Sequence, residues 1–165
     1  MFPCERVGVD FVDTAPIVFR NRVDLRITPE QLFDVLGDAD AWPQWATVIT
    51  KVTWTSPEPR GVGTTRTVHM RAGIVGEEEF LAWEPHRHMA FRFNACSVRA
   101  VAAFAEDYRV EPIAGGCRLT WTMAQKSSGV SRVFMPVAHP AMNLTLRRFL
   151  ANLRRYTDAR FAAAQ

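Results

Sequence analysis

Glu106 is the residue of this sequence best placed for acid–base chemistry. In the stretch Val98–Val110, Phe104, Tyr108 and Val110 fall on one side of an alternating pattern, and Arg99, Asp107 and Arg109 fall on the other. Glu106 therefore shares the apolar side with Phe104 and Tyr108. A carboxylate there either has its pKa raised by desolvation or pairs with a cation. With Tyr108 beside it, it is a candidate general acid or base. Glu106 and Tyr108 are the candidate catalytic residues.

A buried polar group costs several kcal/mol unless it is partnered, so each one needs a reason. In Pro16–Ile27 the apolar side carries Ile17, Phe19, Val23, Leu25 and Ile27, with Asn21 among them. In Cys117–Gln125, Leu119, Trp121 and Met123 point inward with Gln125 next in line. Two stretches are open. Val62–Arg71 turns inward either Arg66 with Val68 and Met70, or His69 with Thr65 and Thr67. Glu77–Trp83 turns inward either Glu79 with Leu81 and Trp83, or Glu78 with Phe80, and the larger apolar pair favours Glu79. The expected ligand-binding set is Asn21, Trp45, Arg66, Glu79, Phe91, Phe104, Trp121, Met123, Phe149 and Leu153, an apolar wall with a few orienting polar groups. The competing reading is a filled core holding one satisfied polar network.

Other chemistries lack their residues. There is no Gly-x-Ser-x-Gly, no His-Glu-x-x-His and no cysteine beside a base. His86-Arg-His88 reads as a turn rather than a metal site, which needs more ligands at fixed geometry. Gly61-Val-Gly63 lacks the lysine and following helix of a phosphate loop. No cofactor and no metal are expected.

These residues need a scaffold. The chain has 165 residues, 48% hydrophobic and 22% charged, which suits a single domain, residues 1–165, with residues 1–15 as an N-terminal extension. No apolar run approaches the roughly 20 residues that span a bilayer. The N-terminus does not read as a secretory signal, and the three scattered cysteines form no CxxC pair, so a cytoplasmic protein is expected. Net charge is +3, and from Ser127 onward Arg132, Arg147, Arg148, Arg154, Arg155 and Arg160 oppose only Asp158. That is the solvated face of an amphipathic helix, with transient membrane contact left open; nucleic acid is not an expected partner.

Turn residues divide the chain. After the first strand, Thr28-Pro-Glu-Gln31 is a capping box for a helix that Gly37 ends, and Asp38 or Asp40 can cap a second short helix through Trp42 and Trp45. Strand-like blocks follow at Val48–Trp54, Val62–Arg71, Ile74–Trp83, Met89–Phe93, Val98–Val110 and Cys117–Gln125, a spacing that favours an antiparallel meander. Met142, Leu146, Phe149, Leu150, Leu153 and Tyr156 then mark a long helix from about Pro140 to Ala163. Ser127–Ser131, followed by Pro136 and Pro140, is expected to gate entry.

This order is that of the helix-grip fold, an α+β arrangement in which a seven-stranded curved antiparallel sheet wraps a long C-terminal helix, with two short helices after the first strand. Four motifs narrow it: Ile27-Thr-Pro-Glu-Gln-Leu-Phe-Asp-Val-Leu36, the Asp38-to-Trp45 corner, Gly61-Val-Gly-Thr64, and Trp83-Glu-Pro-His-Arg87. On these the sequence resembles the polyketide cyclase/dehydrase branch of the START-like (SRPBCC) superfamily, over roughly Pro16 to Phe161. The resemblance implies a cavity between sheet and helix. It also implies that Trp42 and Trp45 pack the closed end, with Trp45 open to a lining role. The expected function is binding of a small hydrophobic, lipid-like or polycyclic molecule, as carrier or sensor. A polyketide aromatase/cyclase or dehydrase is the alternative, and an interaction protein using its basic helix is a weaker third.

Overall fold

The alternation read in the first strand forms β2 (Ile17–Leu25), with Phe19, Asn21 and Leu25 buried and Arg20, Arg22 and Asp24 exposed. The computed structural model describes residues 1–129 and 131–162, with side chains described outside 131–137. Thr28 opens α2 (Pro29–Gly37) as its capping box predicts. The Gln31 N–H donates to Thr28 Oγ1 at 3.3 Å, and Gln31 Oε1 accepts from the Thr28 N–H at 3.0 Å. Leu32, Phe33, Val35 and Leu36 form the buried face of α2. The short α3 (Trp42–Trp45) is tied to the end of α2 by the Trp42 indole N–H, which donates to the Leu36 carbonyl at 3.0 Å. Neither aspartate caps α3. Its N-cap is Ala41, and the Asp38 carboxylate instead accepts from the Asp40 N–H at 3.0 Å and from Arg160 at 2.9 Å.

The remaining strands are β3 (Ile49–Trp54), β4 (Thr65–Met70), β5 (Val75–Glu84), β6 (His88–Cys96), β7 (Val101–Ile113) and β8 (Gly116–Ser127). They form an antiparallel sheet ordered β2-β8-β7-β6-β5-β4-β3, the expected seven-strand path. β2 and β3, consecutive in the chain, are its two edges, and α2 and α3 lie on the connection between them. β5 carries a bulge: Phe80 pairs with Phe91 and Ala82 with Ala90, so Leu81 is the extra residue.

The N-terminal extension is ordered on the sheet. A two-residue β1 (Phe2–Pro3) pairs with β6, and α1 (Phe11–Thr14) places Val12 against Ala105 and Ala124. Those alanines alternate with Glu106 and Met123, so this segment covers the face opposite the apolar wall. α4 (Ser131–Arg160) packs on the wall side through Leu146, Phe149, Leu150 and Leu153. It starts well before the expected Pro140. A proline inside a helix costs about 3 kcal/mol through its missing N–H and its ring, but here the helix runs through Pro140, which is exposed. The expected gate includes Val130 and the side chains of 131–137, which lie outside the described residues.

Candidate functional site

Strand register decides which polar groups face α4. Asn21 pairs with Trp121, Met123 with Glu106, Glu106 with Phe91, Phe80 with Phe91, Glu78 with Phe93, and Arg66 with Glu78. One continuous concave wall therefore carries Asn21, Trp121, Met123, Glu106, Tyr108, Phe104, Phe91, Glu78 and Arg66. The open choice in β4 resolves to Arg66, 1% exposed, and His69 is exposed. The choice in β5 resolves against Glu79. Glu79 points to the convex face, where its Oε2 accepts from Asn94 at 2.8 Å and Arg92 at 3.1 Å. Glu78 and Phe80 face inward instead. Trp83 also reaches the inner side, because the bulge at Leu81 resets the alternation. Reading Leu81 and Trp83 as one unbroken face is what misplaced Glu79.

Glu106 sits at the centre of this wall. Its Oε2 accepts a short hydrogen bond from the Tyr108 hydroxyl and one of 3.0 Å from the Trp121 indole N–H. Its Oε1 has no hydrogen-bond partner among the described residues. Burial raises the Glu106 carboxyl to about 7, with the Tyr108 hydrogen bond opposing and the nearby Glu78 charge adding. Tyr108, equally buried and beside that carboxylate, is raised well above the ordinary tyrosine range. At neutral pH the group can therefore hold or release a proton, and a buried tyrosine fixes its geometry.

Arg66 is the second unusual group. Its Nε donates a short hydrogen bond to Glu78 Oε2, but Nη1 and Nη2 are buried without a partner. Four rings surround the guanidinium, with centroids at 4.3 Å (Trp42), 4.6 Å (Phe91), 5.1 Å (Phe80) and 5.5 Å (Trp54). Cation–π attraction offsets part of its desolvation but supplies no hydrogen-bond acceptor. Glu78 is fully buried, and burial raises its pKa against the attraction of Arg66.

The other predicted residues are accounted for one by one. Trp45 is fully buried, edge-on to Trp121 at 6.2 Å, with its indole N–H unpartnered. Phe91 stacks on Tyr108 at 5.9 Å, and Phe104 on Phe93 at 4.2 Å. Met123, Phe149 and Leu153 are buried in the same core as Trp121. Asn21 faces α4, where its Nδ2 donates to Asn143 at 2.9 Å and its Oδ1 accepts from Arg147 at 3.1 Å. Sequence reading missed those two partners, along with Trp42 and Trp54 around Arg66, and held Glu78 with Phe80 only as the less favoured alternative. The available signal was the demand of an inward arginine for a carboxylate on the neighbouring strand.

The His86–His88 stretch divides. His86 is in the turn, but His88 lies in β6, 9% exposed, with Nε2 2.6 Å from Asp107 Oδ2. Among the described residues, no group of three His, Cys, Asp or Glu side chains could hold a metal. No helix among them is long and apolar enough to cross a membrane. Clefts open at the surface elsewhere: one of about 390 Å³ beside α2, and two of about 300 and 630 Å³ that share Gly115.

The helix-grip expectation holds against solved structures. The chain is similar to the Zhui aromatase/cyclase from Streptomyces sp. R1128, with TM-score 0.69 and 15% identity over 90% of this chain and 97% of that one. It is also similar to a START superfamily protein from Mycobacterium smegmatis, with TM-score 0.66 and 12% identity over 90% and 99%. At such identities the likeness is one of fold. In sequence it is 73% identical over 165 residues to the Mycobacterium tuberculosis protein Rv2574, covering 100% of this chain and 99% of that one. The family model for polyketide cyclase / dehydrase and lipid transport matches residues 16–158. That match runs from β2 nearly to the end of α4 and takes in the whole concave wall: the chain belongs to the polyketide cyclase/dehydrase and lipid transport family.

Proposed function

We propose that the protein binds a small hydrophobic ligand, lipid-like or polycyclic, between the concave wall and α4, as a carrier or sensor. One observation carries this reading. Two buried polar groups of the wall, Arg66 and Glu106, keep unused hydrogen-bonding capacity on an aromatic surface: both Nη atoms of the first, and Oε1 of the second, whose two donors both go to Oε2. A core evolved only for stability leaves few such groups unpaired. A ligand with an apolar body and acceptor oxygens would satisfy Arg66 and meet Glu106. Native mass spectrometry of freshly purified protein should show a retained small molecule. Titration with fatty and polycyclic probes should shift tryptophan emission, and Trp121→Phe should remove most of that response. Failure of every such probe to bind overturns the reading.

A second reading has its own support. Glu106, raised to about 7 and held by Tyr108, is suited to proton transfer on a carbonyl substrate, as in a cyclase or dehydrase. For an enzyme, Glu106→Gln should abolish turnover with fold intact. For a carrier, it should retain binding with a loss of about 1–3 kcal/mol.

A further inference from the structure

The cleft of about 390 Å³ beside α2 is a second place where the chain concentrates recognition chemistry. Its walls are Phe33 of α2, Trp54 at the end of β3 and Trp83 of β5. Phe33 and Trp83 meet edge-on at 5.9 Å and Trp54 and Trp83 at 6.1 Å, so the three rings form a corner of nearly perpendicular faces. The rim carries Asp34 and Asp38, with Arg60 and His86 also lining the cleft. Asp38 is committed to Arg160, whereas Asp34 is exposed and has no ion pair among the described contacts. The C-terminus of α2 ends here with no basic residue in its last turn, so the negative end of the helix dipole is met only from other parts of the chain or from a ligand.

One cation already exploits this surface. Arg60 lies 4.1 Å over the Trp54 ring, and its Nη1 donates to the Gly37 carbonyl at 2.6 Å. It covers one face of Trp54; the His86 ring meets Phe33 edge-on at 5.9 Å, and among the described residues no cation is seated on Trp83 or paired with Asp34. Aromatic faces at right angles beside a carboxylate and a helix C-terminus favour a weakly hydrated organic cation over an anion or a neutral apolar group. We infer that this cleft is a binding site for an alkylammonium group, seated on Trp83 and Phe33 with Asp34 as counter-ion. The inference does not rest on the interior ligand.

The test is titration with choline chloride, followed by the indole N–H signals of Trp54 and Trp83 in NMR spectra of the full chain. The comparison compound is choline's uncharged isostere, the same chain ending in tert-butyl. Choline should give saturable shifts at those two indoles, and the isostere should bind about tenfold more weakly or not at all. Asp34→Asn, an exposed change that leaves the fold alone, should weaken choline about fivefold. Trp83→Leu should weaken it further. Arg60→Ala removes the resident competitor and should tighten binding. Glu106→Gln should leave it unchanged, which separates this site from the interior one. Equal binding of the isostere, no saturable shift, or an Asp34→Asn affinity equal to wild type each overturns the inference.

Discussion

Glu106 and Asp107 are adjacent carboxylates on one strand, both almost fully buried, and they face opposite sides of the sheet. Asp107 is claimed by cationic or potentially cationic partners: Oδ2 by His88 at 2.6 Å and Oδ1 by Arg109 Nε at 3.0 Å. The N-terminal segment packs on the same convex face at Ala105 and Ala124. Among the described residues Glu106 has only neutral donors, both on one oxygen, and its proton affinity is raised by burial. Burial alone does not mark a functional group. What separates the two is whether the chain itself has met the group's needs. The convex carboxylate is finished structure, and the concave one, with Arg66 nearby, is left open.

The comparison breaks most visibly at Arg66. Arg66→Met strands Glu78 and should cost about 3–5 kcal/mol in urea denaturation. The double change Arg66→Met with Glu78→Met should recover most of that stability, since apolar residues of similar volume often replace a buried pair at little cost. It should nonetheless lose the retained ligand. A double variant as unstable as the single one would mean that the pair is there for the fold.

Next in size is a pH effect carried by Glu106. Its carboxyl rises from an unfolded value of 4.5 to about 7 in the native protein, so the native state binds the proton more tightly. Its contribution is therefore fully present below pH 4.5 and is lost as pH rises through 7. At about 1.4 kcal/mol per unit this amounts to about 3 kcal/mol. Denaturation series from pH 4.5 to 8 should show a fall in wild type that is smaller by about this amount in Glu106→Gln, where the raised carboxyl of Glu78 remains. Parallel curves would return Glu106 to the class of Asp107.

The smallest effect expected is on the convex side. Asp107→Asn keeps the shape but weakens both charged contacts, at a cost of about 1–3 kcal/mol in stability. It should leave ligand retention and the emission response of Trp121 unchanged. A loss of binding there would erase the distinction between the two faces.

Much of this was legible in the sequence because it depends on local rules. The capping box at Thr28 and Gln31, the period of two through β2, β7 and β8, and the placement of Glu106 inside are set by residues a few positions apart. Four features were not legible for that reason. Glu79 was chosen over Glu78 because alternation assumes an unbroken strand, and a bulge is decided by the partner strand. Pro140 was taken as a boundary, although a long helix packed on a core can absorb its cost. The cage around Arg66 gathers Trp42, Trp54, Phe80 and Phe91 from four elements, and no spacing along the chain announces such a meeting. The convex pairing of His88 with Asp107 is hidden in the same way, since β6 and β7 bring the two together only in the sheet.

The extra residue at Leu81 has a consequence for how this chain tolerates change in length. It lets β5 keep two phases at once: Glu78 and Phe80 in step with the interior before it, and Trp83 in step with the cleft after it. Substitution at Leu81 alters one side chain. Deletion there would remove the unpaired residue and leave Phe80 and Ala82 as consecutive ladder positions, keeping Glu78, Phe80 and Trp83 on the side they already face. The bulge is therefore the one place in this strand that can lose a residue without cost to the interior, whereas deletion of a paired neighbour such as Glu79 would turn every side chain on one side of the cut to the other face.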